Sequence, residues 1–413
     1  MTETTRVAPT RGWDWRIETP FANTVTHGDQ VFVSGQQALG PDGAVAEPGD
    51  IAGQTRAVFE AMARSLAAEG LGLADLVRLN TYYVFDGAEA EATRYWEDMT
   101  RVRLEFFPDP GPAATAVRIK GMPYAGQLIQ IEGIALRGEA RRSRQRVMPA
   151  DSWDWSIAVP LSQGWRVGSH LYVGGQIAAD SRGEAVDAGN LEAQTRAVYR
   201  YIANVLRDGG ARAEDLVHVK ICFKHDSRDA GRAYVDRILE ITRDVLGDAA
   251  PAVTAFGVDL LYPGLELEID AMAIVDPGRR ALGTDGAGTL AARYQPAGFA
   301  ESVRAGGEIR VGGQVALGGD GVVVAPGDIR VQARHVFERL ADRLAAQGAG
   351  LGSVVKLELF LVGDGPDVAE DFHDVARVWA EMAPGAHPAV TPVRVHELAR
   401  PGLRIQADCI AAA

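Results

Sequence analysis

The segment VFVSGQQALGPDG (residues 31–43) decides the fold, because the chain contains it in three versions. The other versions are LYVGGQIAADSRG (171–183) and IRVGGQVALGGDG (309–321). Each contains an SGQ or GGQ triplet, whose glutamine is Gln36, Gln176 or Gln314. The copies are therefore offset by 140 and then by 138 residues.

The same offsets connect other positions of the chain. A polar residue, a glutamine and an arginine recur at Asp50, Asn190 and Asp328, at Gln54, Gln194 and Gln332, and at Arg56, Arg196 and Arg334. A spacing shared by so many positions indicates internal triplication. The chain of 413 residues is long enough for three domains. We predict domain 1 at residues 1–138, domain 2 at 151–276 and domain 3 at 290–413, joined by two linkers.

Each copy has the same predicted order of strands and helices. A β-branched and aromatic run ends at the triplet glycine, and turn residues such as PDG follow. Asp50 then caps a helix whose apolar residues share one face. A strand, a second amphipathic helix and two closing strands complete an α+β unit with both helices on one side of its sheet. Three such sheets can cover each other's open faces, so we predict an intramolecular pseudo-trimeric barrel with the helices outside.

Composition and charge disfavour several classes of function. The net charge of −13 disfavours a nucleic-acid partner. The first residues lack a secretory signal and no apolar run reaches membrane-spanning length, so we expect a cytoplasmic protein with no membrane partner. Cys222 and Cys409 lie in apolar strand-like runs and should be buried free thiols. The histidine spacing supports no metal site, and no nucleotide fingerprint predicts a cofactor.

Each copy resembles a subunit of the RidA family, the YjgF-type reactive intermediate deaminases formerly labelled L-PSP endoribonucleases. The shared motifs are the [S/G]-G-Q strand end, the G-[D/N]-[I/L]-x-x-Q-x-R helix start and the closing P-A-x-T segment. The resemblance covers nearly the whole chain, three times. It implies a chorismate-mutase-like fold, and a homotrimer with a small-molecule pocket at each interface. Here the trimer would be fused into a monomeric pseudo-trimer. Whether this chain assembles further into a homo-oligomer is left open by the sequence.

The resemblance also implies four kinds of pocket residue, of which only the strand-end glycine occurs in all three copies, as Gly35, Gly175 and Gly313. The family's carboxylate-binding arginine corresponds to Ala114, Val253 and Val390. Its pocket tyrosine corresponds to Phe21, Leu161 and Phe299. Its water-positioning glutamate corresponds to Gln130, Glu268 and Gln406. We expect these residues to line three clefts that are more apolar than those of the family.

The missing arginine argues against an ordinary 2-aminoacrylate deaminase, because a buried substrate carboxylate would lose a contact of about 3–5 kcal/mol. Arg118 and Arg394 lie four residues further along the same strand face, roughly 13 Å away. They are candidates to bind a ligand displaced along the cleft, and ordinary salt bridges are the alternative. Glu268 is the candidate general base, since glutamine cannot accept a proton from water. The alternative is a strand glutamate that faces solvent or pairs with an arginine.

Other recurring residues predict structural roles. Arg78, His218 and Lys356 are matched on the middle strands and predict a polar triad around the threefold axis. Glu132, Asp270 and Asp408 recur on the last strands and predict a shared structural hydrogen bond. The WDW tripeptides at 13–15 and 153–155 are expected to pack at domain interfaces, with a ligand groove as the alternative.

Two functions fit these observations. The first is a diverged RidA-type enzyme that hydrolyses or transforms an imine or enamine at one inter-domain cleft built around Glu268. The second is a non-catalytic small-molecule-binding or scaffold protein of the same fold. A cyanuric acid hydrolase-like ring opener would need a Ser–Lys pair in each repeat, and a chain with four lysines and no repeated serine fits that poorly. A ribonuclease is disfavoured by the negative net charge.

Overall fold

The three repeats form three six-stranded sheets with the same strand order. The computed structural model describes residues 4–7, 16–17, 19–40, 42–225, 231–282, 299–365 and 367–413. The tripeptide at 13–15 and its counterpart at 291–293 lie outside the described residues. Among the residues that are described, no helix combines the length and apolarity needed to cross a membrane.

The elements of the three domains follow one another in matched order. Domain 1 contains β1 (Thr4–Val7), β2 (Thr24–His27), β3 (Gln30–Gln37), α1 (Ile51–Ala68), β4 (Leu76–Tyr83), α2 (Ala92–Phe106), β5 (Ala113–Arg118) and β6 (Ile129–Leu136). The short α3 (Ala140–Ser143) precedes the second sheet, whose elements are β7 (Gln145–Val147), β8 (Gly164–Val167), β9 (His170–Ile177), α4 (Leu191–Asp208), β10 (Leu216–Lys224), α5 (Gly231–Leu246), β11 (Ala252–Val258) and β12 (Leu267–Ile274). The elements of the third sheet and its helices are β13 (Arg280–Leu282), β14 (Ser302–Ala305), β15 (Glu308–Val315), α6 (Ile329–Ala346), β16 (Val354–Leu361), α7 (Ala369–Met382), β17 (Ala389–Arg394) and β18 (Ile405–Ala412).

The first sheet has the strand order β1-β2-β3-β6-β4-β5, and the other two sheets repeat it. All neighbouring strands are antiparallel except β4 and β5, which are parallel. A parallel pair needs a crossover connection, and α2 provides it. The short strands β7 and β13 lie inside the segments predicted as linkers. Each linker therefore contributes the edge strand of the following sheet.

The first long helix of each repeat begins at the predicted capping residue. Asp50 Oδ1 accepts hydrogen bonds from the backbone N–H groups of Ala52 and Gly53, both 3.0 Å long. Asn190 and Asp328 cap α4 and α6 in the same manner. These bonds satisfy donors that a helix start otherwise leaves unpaired. The predicted apolar face is confirmed, since the α1 residues Val58, Phe59, Met62 and Leu66 are all fully buried.

Backbone hydrogen bonds join the three sheets in a ring. Each bond runs from the start of one repeat to the segment just before the P-A-x-T strand of another: Ser162 N–H to Pro112 O (3.1 Å), Ala300 N–H to Pro251 O (2.9 Å) and Ala22 N–H to Pro388 O (3.0 Å). Domain 1 therefore contacts domain 2, domain 2 contacts domain 3, and domain 3 contacts domain 1. The prediction of an intramolecular pseudo-trimer is confirmed.

Buried ionisable side chains surround the pseudo-threefold axis. Each middle strand places a basic or imidazole side chain beside an acid of the following domain: Arg78 beside Asp270 (2.6 Å), His218 beside Asp408 (3.8 Å) and Lys356 beside Glu132. A threonine donates to the same acid in each case: Thr115 to Asp270 (3.2 Å), Thr254 to Asp408 (2.7 Å) and Thr391 to Glu132. The predicted triad and the predicted shared hydrogen bond of the recurring acids are both confirmed.

The charges of this axial network form pairs between domains. Lys220 Nζ lies 2.5 Å from Glu358 Oε1, which also accepts a hydrogen bond from Tyr82. The network lines a cavity of only about 40 Å³, room for a few water molecules. Its side chains serve mainly to hold the domains together. Both cysteines are buried and free, as predicted.

Candidate active site

Three matched sites lie at the domain interfaces, where the P-A-x-T strand of one domain meets the triplet of the next, and the cavity described below belongs to the first of them. We name them the first cleft (domains 1 and 2), the second cleft (domains 2 and 3) and the third cleft (domains 3 and 1). The first cleft encloses about 10 Å³ beneath an open mouth, against about 40 Å³ in the axial cavity. Its lining residues come from both domains: Trp96, Arg103, Ala114, Ala116, Trp153, Trp155, Leu161, Gly175, Leu261 and Glu268.

Glu268 is the acid of the first cleft. It lies on β12, where its side chain is 2% exposed. Its Oε1 accepts a hydrogen bond of 3.3 Å from the backbone N–H of Ala116 in domain 1, and Oε2 has no partner among the described residues. Burial raises the pKa of Glu268 well above its usual range, and the nearby Asp270 adds to this shift. The environment therefore favours the protonated acid at neutral pH.

The triplet glycine leaves room for the side chain of Glu268 and of its two matched residues. A Cβ atom on Gly175 would overlap the carboxyl group of Glu268. The matched Gly35 and Gly313 make the same close approach to Gln130 and Gln406. In the structure they make room for the side chain of the neighbouring strand.

The second and third clefts place glutamine where the first has Glu268, and they bond it differently. In the second cleft, Gln406 Nε2 donates to Ala255 O across the domain interface, at 3.1 Å. In the third, Pro392 occupies the position matched to Ala116 and has no N–H to donate. There Gln130 instead accepts a hydrogen bond from Gln37 of its own domain. The three clefts are therefore chemically different.

The residues predicted at the lost arginine and tyrosine positions are all buried or half-buried at the domain interfaces. Ala114 and Leu161 line the first cleft. Phe21 stacks on Phe372 of domain 3, with ring centroids 6.2 Å apart. Val253, Phe299 and Val390 belong to the apolar core. None of these positions brings a guanidinium or hydroxyl group into a cleft.

Arg118 and Arg394 make structural contacts outside the first cleft. Arg118 donates to Leu260 O at 2.7 Å and forms an ion pair of 2.6 Å with Glu89. Arg394 donates twice to Gly363 O, at 3.1 and 2.6 Å. Neither arginine is among the residues that line the first cleft with Glu268. These contacts favour the salt-bridge and structural alternative over the ligand-binding one.

Arg103 is a cleft residue that the sequence analysis missed. It comes from α2 of domain 1, is 1% exposed and lines the first cleft with Ala114 and Glu268. Its Nη2 donates to Thr81 Oγ1 at 3.1 Å, whereas Nε and Nη1 have no partner among the described residues. Burial without a neighbouring acid lowers the pKa of Arg103 to about 10, so it remains a cation at neutral pH.

A signal for Arg103 was present in the sequence. Trp96, Met99 and Arg103 are spaced by three and four residues, which places them on one face of α2. Trp96 and Met99 are buried with it. An arginine in the apolar stripe of an amphipathic helix has to be paired or functional, because burying a lone charge is costly.

Aromatic side chains form the walls of the first cleft. Trp153 and Trp155 pack against each other at 4.8 Å, and Trp96 meets Tyr262 edge to face at 5.8 Å. Trp153 Nε1 is fixed by a hydrogen bond of 3.2 Å to Gln176. The second WDW segment thus lines the groove as well as packing at the interface. No cluster of histidine, cysteine and acidic side chains that could bind a metal occurs in the described part of the chain.

Comparison with known proteins identifies the family. The family model described as Endoribonuclease L-PSP matches three times, at residues 15–137, 155–275 and 290–413. The chain belongs to this family. A RutC family protein of Pyrococcus horikoshii is 31% identical over 118 residues, which are 29% of this chain and 87% of that protein. The mitochondrial protein mmf2 of Schizosaccharomyces pombe is 37% identical over 116 residues, 28% of this chain and 86% of its own.

One solved structure matches most of the fused ring. A crystal structure of a chorismatase superposes with a TM-score of 0.54 and 18% identity. The superposition covers 82% of this chain and 93% of that protein. Each sequence relative thus corresponds to a single repeat of this L-PSP family chain, whereas the chorismatase shares the fold of the larger assembly.

Proposed function

We propose that the first cleft hydrolyses a small imine or enamine, with the carboxylic acid of Glu268 as its acid and base. The observation that carries this proposal is a buried carboxyl group in a cleft with aromatic walls, whose Oε2 has no partner among the described residues. Only this cleft has an acid at the matched position, because the other two have Gln130 and Gln406. A fused chain can specialise one cleft, whereas a homotrimer has to change all three together.

The raised pKa of Glu268 suits the first step of this reaction. An enamine is protonated on carbon, so the Oε2–H bond breaks, a C–H bond forms and an iminium ion results. Water then adds to the C=N carbon and returns a proton to the Glu268 carboxylate. The carbinolamine expels ammonia and leaves a carbonyl compound. An acid that is protonated at neutral pH can perform both proton transfers.

Glu268→Gln tests the proposal directly. Imines and enamines are generated in the assay, and ammonia and carbonyl products are measured. We expect the variant to lose turnover by about 10²–10⁴-fold, the usual contribution of a general acid or base. Gln406→Met changes the residue matched to Glu268 in the second cleft and should leave turnover unchanged. A folded Glu268→Gln protein with full activity would refute the proposal, and an absence of turnover on a broad panel would favour the scaffold alternative.

An enol-ether substrate is a second candidate. The chorismatase match covers most of the ring, and chorismate is an enol ether. Enol ethers, like enamines, are hydrolysed after protonation on carbon, so the same Glu268 acid would serve. Pyruvate release from chorismate, measured in parallel with ammonia release from enamines, distinguishes the two substrates.

Several properties of the protein stay predictions from the sequence. These are its cytoplasmic location, its monomeric state as a pseudo-trimer and the lack of a nucleic-acid partner. A small-molecule ligand is the partner that this proposal requires.

A further inference from the structure

Arg103 is a buried cation without a counter-ion. Its one hydrogen-bond partner among the described residues is the neutral hydroxyl group of Thr81, 3.1 Å away. Its Nε and Nη1 are buried and have no partner in the described part of the chain. Burial lowers the pKa of Arg103, and no neighbouring acid offsets this shift. An unpaired charge in such a position costs several kcal/mol.

The walls of the first cleft cannot neutralise this cation. Of the residues that line the cleft, only Arg103 and Glu268 are ionisable. Glu268 is itself buried and next to Asp270, which disfavours its negative form. At neutral pH the lining therefore carries one positive charge when no ligand is bound.

The positions matched to Arg103 in the two other domains carry no charge. The residues matched to Arg103 are Thr242 in α5 and Trp379 in α7, and both are fully buried. Tyr199 donates to the Thr242 hydroxyl group at 2.9 Å, and Trp379 Nε1 donates to Ala386 O at 3.1 Å. These polar groups are satisfied within their own domains. The unpaired guanidinium is thus a feature of domain 1.

We infer that Arg103 binds the carboxylate of a small organic acid in the first cleft, one ligand per chain. This inference rests on the proposed function for the location of the substrate, and it specifies that substrate as an anion. A carboxylate would accept hydrogen bonds from the free Arg103 nitrogens and supply the missing counter-charge. The guanidinium comes from α2 rather than from the P-A-x-T strand, which has Ala114 at the matched position.

The binding experiment uses the intact protein and compares acids with their neutral amides. Pyruvate, 2-oxobutyrate and benzoate are titrated by calorimetry against pyruvamide, 2-oxobutyramide and benzamide. We expect at least one acid to bind at one site per chain and about 100-fold more tightly than its amide. If no acid binds better than its amide, the inference is wrong.

Two variants test the role of the side chain. Arg103→Met should weaken binding of the preferred acid by about 100-fold while the amide is unaffected. Arg103→Lys keeps the charge and should retain binding, with a loss of about 10-fold because lysine offers a single point of contact. Circular dichroism confirms that each variant is folded, and Arg103→Lys alone suffices if Arg103→Met does not fold. Unchanged acid binding in either folded variant would exclude Arg103 as the ligand's partner.

Glu268→Gln separates this inference from the proposed function. If Arg103 binds the anion, Glu268→Gln should bind the acid as tightly as the parent protein, whatever happens to turnover. Loss of turnover with intact binding supports both proposals. Intact turnover with intact binding refutes the role of Glu268 and leaves Arg103 as the anion site.

Discussion

Arg78 and Arg103 are both buried arginines of domain 1, but their surroundings are opposite. Arg78 lies in the axial network, where Nη2 is 2.6 Å from Asp270 and Nη1 donates to Val173 O at 2.7 Å. Arg103 lies in the first cleft and has only Thr81 as a partner among the described residues. The axial charges bind one domain to the next. The cleft charge has no such use in the fold, so it is available to a ligand.

This difference explains why the axial cavity is a poor candidate for the active site, although it contains more charged groups. Most of its charges form ion pairs within the protein, namely Arg78 with Asp270, Lys356 with Glu132 and Lys220 with Glu358. The first cleft contains few polar atoms, but Glu268 Oε2, Trp96 Nε1 and two nitrogens of Arg103 have no hydrogen-bond partner among the described residues. In the axial cavity the described residues leave only the neutral Asn80 Oδ1 unpaired, so the unpaired ionisable groups favour the first cleft as a binding site.

The largest expected effect on stability comes from a variant of the axial network. Arg78→Met removes one partner of a buried ion pair and leaves Asp270 with an uncompensated charge, so we expect a loss of about 3–5 kcal/mol in the free energy of unfolding. Denaturant titration measures it. The double variant with Asp270→Leu should recover most of the loss. If Arg78→Met alone is neutral, the axial pairs do not stabilise the ring.

The next largest effect is expected from alanine substitutions at two of the triplet glycines. Gly175→Ala forces Glu268 to move, and Gly313→Ala does the same to Gln406. Each should destabilise the protein by about 1–3 kcal/mol through overpacking. Only Gly175→Ala should also reduce turnover, because it displaces the acid of the first cleft. Equal losses of turnover in both variants would contradict a single working cleft.

The pH dependence of stability should report the environment of Glu268. Above the ordinary pKa of 4.5, the unfolded chain releases this proton while the folded chain keeps it. The contribution of Glu268 to stability therefore falls as pH rises, until its raised folded pKa is passed. Relative to the parent protein, Glu268→Gln should gain up to about 1.4 kcal/mol per pH unit in this window. Chemical unfolding between pH 5 and 8 measures the difference, and a constant difference would show that the carboxyl group is not perturbed.

The smallest expected effect has the opposite sign to that of Arg78. Arg103→Met removes a buried cation that has no counter-ion, so the free energy of unfolding should rise by about 1 kcal/mol in the absence of ligand. The measurement is the same denaturant titration. A loss as large as that of Arg78→Met would mean that Arg103 is needed for the fold.

The sequence predicted the architecture because the repeats confirm each other. Asp50 and its two counterparts all cap helices, and Glu132 with its two counterparts all accept a threonine hydrogen bond. A position that recurs three times at one spacing indicates a structural role shared by all copies. That signal is present in the amino-acid sequence alone.

The candidate site was predicted only in part, because function here depends on what the repeats do not share. Glu268 was identifiable as the one acid at its position. Arg103 has no counterpart in the other copies, and its approach to the cleft depends on how α2 packs over the sheet. Comparison of matched positions along the P-A-x-T strand therefore led to the expectation of a missing arginine and gave no signal for the arginine that lies on a helix.

The threonine and the base beside each axial acid belong to a different domain from that acid, in a cycle that includes all three. A single repeat separated from its neighbours would leave its acid without these partners, at the cost that accompanies an unmatched charge. The three repeats should consequently melt as one cooperative unit, with equal calorimetric and van't Hoff enthalpies, although each has a complete sheet of its own.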